Sequence, residues 1–163
     1  MLRDDDTLAR LRGRSAKPGE VAWLGLRPGH REPLRVVGQV RAETNAGLEG
    51  DRYRGEGKRQ VTLFQMEHLA AIAAFLGREH VDAALLRRNI GIRGLNLLAL
   101  TGQRFIIGDR AVLEMTGPCH PCSRMEELLG YGGYSAVRGH GGICARVLKG
   151  GLIRLGDPIR VLG

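Results

Sequence analysis

The sequence predicts a mainly β fold, a β-barrel of short strands with a few short α-helices, and three observations lead there. Glycine supplies 25 of the 163 residues, about twice its usual share of roughly 7%. Aromatic residues make up only 4%, and together these features favour tight turns and close backbone approaches over a helical bundle. The apolar runs of the C-terminal half are short: Arg104 to Ile107, Ala111 to Met115, Ile143 to Leu148, Leu152 to Leu155 and Pro158 to Leu162, each bounded by glycine or Gly-Asp. Strand-length runs recurring about every ten residues are the pattern of a closed barrel.

The length and a hydrophobic content of 43% suit one domain with its own core. Residues 1–18 read as a charged, flexible extension in which Asp6 and Thr7 cap a short helix through Arg12, broken by Lys17-Pro18-Gly19. The barrel domain is expected over 19–163. Val21 to Leu26 and Leu34 to Arg41 read as strands around Arg27-Pro28-Gly29, forming a hairpin or two neighbouring barrel strands. Residues 47–58 are glycine-rich, charged and without hydrophobic period, so they form a loop, either an exposed hairpin turn or a cradle of N–H and guanidinium donors for a small anion. Arg59 to Phe64 alternates as a strand does. From Gln65 the apolar residues Met66, Leu69, Ala70, Ala73 and Leu76 fall on one helical face, which Gly77 ends. Val81 to Leu86 predicts another helical turn or two, and Asn89 to Ile92 returns to extended structure. Gly108-Asp109 and Gly156-Asp157 sit in matching contexts and predict two tight hairpins.

Composition also restricts function. No run approaches the roughly 20 apolar residues a membrane helix needs, and Met1-Leu2-Arg3-Asp4-Asp5-Asp6 has no apolar core for a secretory signal, so a cytoplasmic location is expected, with no membrane partner. The three cysteines are an odd number, which makes reduced thiols the expectation. A formal charge of +8 and a pI near 10.2 favour anionic ligands. Nucleic acid is a poor candidate, because the arginines are scattered and few aromatics accompany them. The stretch 139–151 lacks a Walker pattern or dinucleotide fingerprint, and no Ser, His and Asp set marks a hydrolase.

The chemistry concentrates at Cys119-His120-Pro121-Cys122, between the apolar run Ala111 to Met115 and the helical-looking Ser123 to Leu129. Two thiols at a strand-to-turn junction admit a zinc site completed by Cys144 and His140, a thiol-disulfide centre, or a thiolate that ligates a soft transition metal or carries sulfur. The ordinary alternative is that both are small core residues. The charged neighbours Arg124, Glu126 and Glu127 point instead to an exposed turn. Arg87-Arg88-Asn89 offers donors fitted to phosphate, or a helix end with arginines near its last carbonyls.

In order, Gly47-Leu48-Glu49-Gly50-Asp51-Arg52, Arg59-Gln60-Val61-Thr62-Leu63 with Glu67, Leu86-Arg87-Arg88-Asn89-Ile90 and Gly94-Leu95-Asn96-Leu97-Leu98 carry a family resemblance. Phe105-Ile106-Ile107-Gly108, Cys119-His120-Pro121-Cys122 and Gly150-Gly151-Leu152-Ile153-Arg154-Leu155-Gly156-Asp157 continue it. The ordered set resembles the MOSC domain. The resemblance implies a barrel of the pyruvate-kinase-barrel kind and a cysteine tied to molybdenum cofactor (molybdopterin) or sulfur chemistry. In the amidoxime-reducing relatives that cysteine binds molybdenum, and its position falls on Cys122, with Cys119 as an assisting or second sulfur. The relatives' Arg-Pro-Asn-Ile segment, which helps hold the pterin phosphate, falls on Arg87-Arg88-Asn89-Ile90. Arg88 replaces the proline, leaving Arg87 and Asn89 as the matching positions. Charge and loop position add Arg52, Lys58, Arg59 and Arg146 as candidates for the anionic part of the cofactor. No further domain of the kind such enzymes carry is read in this sequence, so a stand-alone protein without pyridoxal phosphate is the expectation.

The activity so implied is reduction of a small N-hydroxylated compound with electrons from a separate flavin or iron–sulfur protein. The alternatives are a carrier holding a cysteine persulfide for a sulfur-transfer partner, and a zinc-stabilised binding module.

Overall fold

The computed structural model describes residues 7–162. Asp6, expected to share in capping the first helix, lies outside the described residues. Thr7 does cap it: its hydroxyl accepts from the Arg10 N–H at 3.3 Å and opens α1 (Leu8–Arg12). This segment meets the barrel where Gln103 Nε2 donates to the Ala9 carbonyl at 3.1 Å.

The strands are β1 (Gly19–Leu26), β2 (Arg35–Val36), β3 (Gln39–Glu43), β4 (Gly47–Leu48), β5 (Val61–Gln65), β6 (Ile90–Arg93), β7 (Arg104–Ile107), β8 (Ala111–Pro118), β9 (Ile143–Lys149), β10 (Gly151–Arg154) and β11 (Pro158–Leu162). The remaining helices are α2 (His68–Leu76), α3 (Ser123–Leu129) and α4 (Gly133–Val137), with 3-10 turns at Ala83–Leu86 and Leu97–Leu100. Seven strands close the barrel in the order β11-β7-β8-β9-β5-β6-β1, sealed where Gly19 pairs with Ile159 and Glu20 with Pro158. Every barrel pairing is antiparallel except β5 with β6, which needs a crossover and receives it from α2 and the 3-10 turn at 83–86. A smaller sheet, β10-β3-β4, covers one side.

Closure removes the edge strands and lets period-2 alternation build the core. In β8 and β9 alternate residues turn inward, placing Leu113, Met115, Ile143, Ala145 and Val147 with Val21, Leu63, Ile92, Phe105 and Ile159. β5 is buried on both faces. Val61 and Leu63 face the barrel interior, whereas Phe64 points outward into a second apolar cluster with Ile72, Met125, Leu129 and Val137. This cluster fastens α2, α3 and α4 to the outside of the barrel beside the Cys119–Cys122 turn.

Three sequence expectations need correction. Leu34 to Arg41 is two strands, because the chain bends at Gly38 and leaves β1 for the smaller sheet. Gly156-Asp157 is a turn with Gly156 at φ +87°, yet its flanking strands do not pair with each other: β10 pairs with β3, and β11 with β7 and β1. The turn passes the chain between sheets. The helix after β5 starts at His68 rather than Gln65, since Gln65 remains in the strand and its amide binds the Leu95 carbonyl and Leu97 N–H.

Gly142 decides how β9 begins. Its φ is +87°, and a Cβ there would run into the Leu63 carbonyl, so neither the conformation nor the space admits a side chain. Gly142→Ala is expected to lower stability by about 2–3 kcal/mol, read as a shift in the urea midpoint at unchanged slope.

Candidate functional site

The site is built on a buried polar network. Asn89, fully buried ahead of β6, accepts from the Thr62 N–H at 3.1 Å and from the Thr62 hydroxyl at 3.2 Å. Its amide donates to the Gly25 carbonyl at 3.1 Å and to Asp51 Oδ1 at 3.2 Å. The Asp51 carboxylate also accepts from the Arg27 N–H at 2.8 Å, Arg27 Nε at 3.2 Å and Arg27 Nη2 at 2.9 Å, and from the Tyr53 N–H at 3.3 Å. A bidentate guanidinium offsets the desolvation of a carboxylate whose side chain has no exposure. The Arg52 N–H then bonds the Arg27 carbonyl at 2.7 Å, which fixes Arg52 at the rim.

Above this network lies a hollow of about 300 Å³ lined by His30, Arg31, Arg52, Arg87, Cys122 and Arg124, with Ser123 and Glu127 at its side. Arg87 ends the 3-10 turn in the left-handed conformation, φ +55°, and donates from Nη1 to the Glu32 carbonyl at 2.6 Å. Arg52 Nη1 contacts His30 Nδ1 at 2.8 Å. Arg31 and Arg124 share one carboxylate oxygen, Glu127 Oε2, at 3.0 and 2.8 Å. Four arginines thus face one carboxylate in this hollow. Burial holds the Arg87 guanidinium below its ordinary pKa, and the neighbouring charges of Arg124, Arg27 and Arg52 lower it further, only partly countered by Asp51. An anion entering the hollow relieves that repulsion. Arg31, Arg87 and Arg124 also border a groove of about 480 Å³ that runs onto Pro33, Leu34, Val36, Leu85 and Leu128, a largely apolar floor.

The Cys119-His120-Pro121-Cys122 turn separates its two thiols. Cys122 is exposed at the start of α3, and its side chain makes no capping hydrogen bond. Cys119 is buried, against the expectation that both thiols sit on an exposed turn, because its N–H continues the β8–β9 ladder by bonding the Gly142 carbonyl at 2.9 Å. Across the β8–β9 ladder its diagonal neighbour is Cys144. Interaction with that thiol first, and then the charges of Arg88, Arg59 and Arg27, pull Cys119 below the ordinary thiol pKa, while the same interaction and burial push Cys144 up.

Of the expected site residues, the structure brings Cys122, Arg87 and Arg52 together. Arg88 and Asn89 are not at the mouth. Arg88 is buried, with Nε on the Gly141 carbonyl at 2.7 Å, Nη1 on that of Leu86 at 3.2 Å and Nη2 on that of His120 at 3.4 Å. Asn89 is committed to the network beneath. Arg146 pairs with Glu114 across the β8–β9 ladder at 2.7 Å. Lys58 and Arg59 are exposed and outside the hollow; Arg59 lies near enough to Cys119 and Cys144 to act on them. The zinc arrangement does not assemble. His140 instead faces His68, Nδ1 to Nδ1 at 3.1 Å, and among the described residues no three of His, Cys, Asp and Glu gather to hold a metal ion.

Sequence reasoning missed His30, Arg31 and Arg124 at the hollow and Asp51 beneath it. Arg124 was within reach, two positions after Cys122, but the loop carrying His30 and Arg31 had no signal beyond charge.

A small closed β-barrel with an exposed thiol at an arginine-lined mouth is the class that fold and site define. Within it, residues 50–160 match the model of the MOSC domain, and the chain belongs to that family, which is associated with molybdenum-cofactor binding and sulfur-related function. Among solved structures, the YuaD protein from Bacillus subtilis is similar with a TM-score of 0.79 at 20% identity, over 89% of this chain and 96% of that one. YiiM from Geobacillus stearothermophilus gives a TM-score of 0.71 at 21% identity, over 90% and 76%. YiiM from Escherichia coli gives 0.65 at 21% identity, over 90% and 69%. These likenesses establish the fold. No curated protein matches the sequence. No helix among the described residues is long and apolar enough to cross a membrane.

Two outcomes test this geometry. Asp51→Ala strands the Arg27 guanidinium and the Asn89 amide and is expected to cost about 3–5 kcal/mol, measured by urea denaturation. Cys119 favours its thiolate, so in Cys122→Ser its methylthiolation rate should rise with pH through a midpoint well below the free-thiol value of about 8.5; a midpoint at or above that value refutes the pairing.

Proposed function

We propose that this protein binds molybdenum cofactor at the arginine-lined mouth, with the Cys122 thiolate as metal ligand. In that state it reduces a small N-hydroxylated compound with electrons from a separate flavin or iron–sulfur protein. The observation that carries the reading is one exposed thiol sharing a hollow with four arginines and a single carboxylate. The donor set fits the group: a thiolate is a soft ligand suited to a transition metal, and guanidinium forks match phosphate oxygens. Arg52 and Arg87 are the proposed phosphate donors, since Arg31 and Arg124 already share Glu127. The bound cofactor supplies the two-electron chemistry. The chain holds it by charge, orients it through the Asp51 network, and offers the apolar groove beside Arg87 for the body of cofactor or substrate.

The exposure of Cys122 also favours a second reading, a carrier that holds a persulfide on this thiol for a sulfur-transfer partner. Metal analysis of protein purified from a host that makes the cofactor separates the two. The reductase reading expects near-stoichiometric molybdenum in the wild type, at least a tenfold loss in Cys122→Ser with an unchanged circular dichroism spectrum, and weaker retention in Arg87→Ala. A metal-free wild type bearing an extra sulfur on Cys122 supports the carrier, and molybdenum retained by Cys122→Ser overturns the ligand assignment.

A further inference from the structure

Two of the three cysteines have no part in the mouth. In the β8–β9 ladder Gly117 pairs with Cys144 and Pro118 with Ile143, and the Cys119 N–H to Gly142 carbonyl bond extends the register by one residue. Cys119 is thus two residues beyond the partner of Cys144, on the same side of the ladder, where diagonal side chains reach each other. The two residues are diagonal neighbours there, one buried and one half-buried. Beside them the guanidinium of Arg88 binds three carbonyls, and among the described residues no carboxylate forms an ion pair with it. A buried cation with only neutral partners calls for an anion. Of the groups that counter the lowering of its pKa by burial, Cys119 is foremost.

We propose that Cys119 and Cys144 form a peroxide-sensitive dithiol, oxidised to an intramolecular disulfide that ties the turn carrying Cys122 to β9. The Cys119 thiolate attacks one oxygen of a hydroperoxide, here hydrogen peroxide. The O–O bond breaks, an S–O bond forms, and hydroxide leaves, giving the sulfenic acid. The Cys144 sulfur then attacks the Cys119 sulfur, the S–O bond breaks, and the departing hydroxide takes the Cys144 proton to leave as water. Two electrons pass from the sulfur pair to one peroxide, so no further reductant or oxidant is required. A small oxidant suits a buried attacking sulfur, and the neighbouring thiol resolves the intermediate without leaving the barrel wall. The assignment does not rest on what Cys122 holds.

The test is thiol counting and peptide mapping on the full-length protein treated with stoichiometric hydrogen peroxide. Thiols titrated under denaturant should fall from three to one, with a Cys119–Cys144 linked peptide in the non-reducing digest and Cys122 still free. Cys122→Ser should lose both of its remaining thiols. Cys144→Ser should stop at a Cys119 sulfenic acid that dimedone captures. A Cys119–Cys122 linkage, oxidation confined to Cys122, or three thiols surviving excess peroxide each overturns the proposal, and the wild-type map decides it even if a variant fails to fold.

Discussion

The Asp51 carboxylate, sealed beneath the mouth of the barrel, is the point through which the site is held together. It joins the loop after β4 to the end of β1 through Arg27, and to the start of β6 through Asn89. Asn89 in turn reaches Thr62 on β5. Three barrel strands and one loop therefore meet at one charge. In a low-dielectric interior such a network is stable only when every member is satisfied, and none of the described buried side-chain polar atoms lacks a partner. The rim arginines inherit their positions from it: Arg52 follows Asp51, and Arg87 precedes the Arg88-Asn89 pair by one residue. An arginine cluster that repels itself needs such a rigid base, because flexible side chains alone would drift apart in water.

The same economy governs the thiols. A turn of four residues sends Cys119 inward along the ladder and Cys122 outward at the head of α3. The inner thiol lies near the Arg88 guanidinium, which bonds carbonyls from three segments, and the outer one stands among guanidinium groups with water access. Two cysteines of similar sequence context thereby acquire different chemistry. The neighbouring Cys144 and nearby guanidinium groups set the state of Cys119 against the effect of burial, while exposure leaves Cys122 open to a ligand. Glycines 141 and 142 make the close approach possible, since a Cβ at Gly141 would meet the Cys119 carbonyl.

The fold was largely legible because period-2 alternation and glycine-bounded runs are local signals; Arg104–Ile107 and Pro158–Leu162 fall where their apolar patterns place them. The partner of each strand was less so. Gly108-Asp109 and Gly156-Asp157 are alike in sequence, but the first closes a hairpin and the second crosses between sheets, a difference set by what lies across the barrel. At the site, Cys122, Arg52 and Arg87 could be picked out by motif and charge. Arg88 and Asn89 have the same polar character, yet both are buried, on opposite sides of the extended chain: Arg88 against the Gly141 and His120 carbonyls, Asn89 against Thr62 and Asp51.

Composition and patterning alone established a small β-barrel, a cationic character and a thiol-bearing turn between β8 and α3, since these depend on residue type and near-neighbour spacing. Barrel closure decided the rest. It brought His30, Arg31, Arg52 and Arg87 from distant segments to the thiol at 122, buried Asp51 under them, and set Cys144 against Cys119, because contacts between residues far apart in the chain follow from strand order and register rather than from any local pattern.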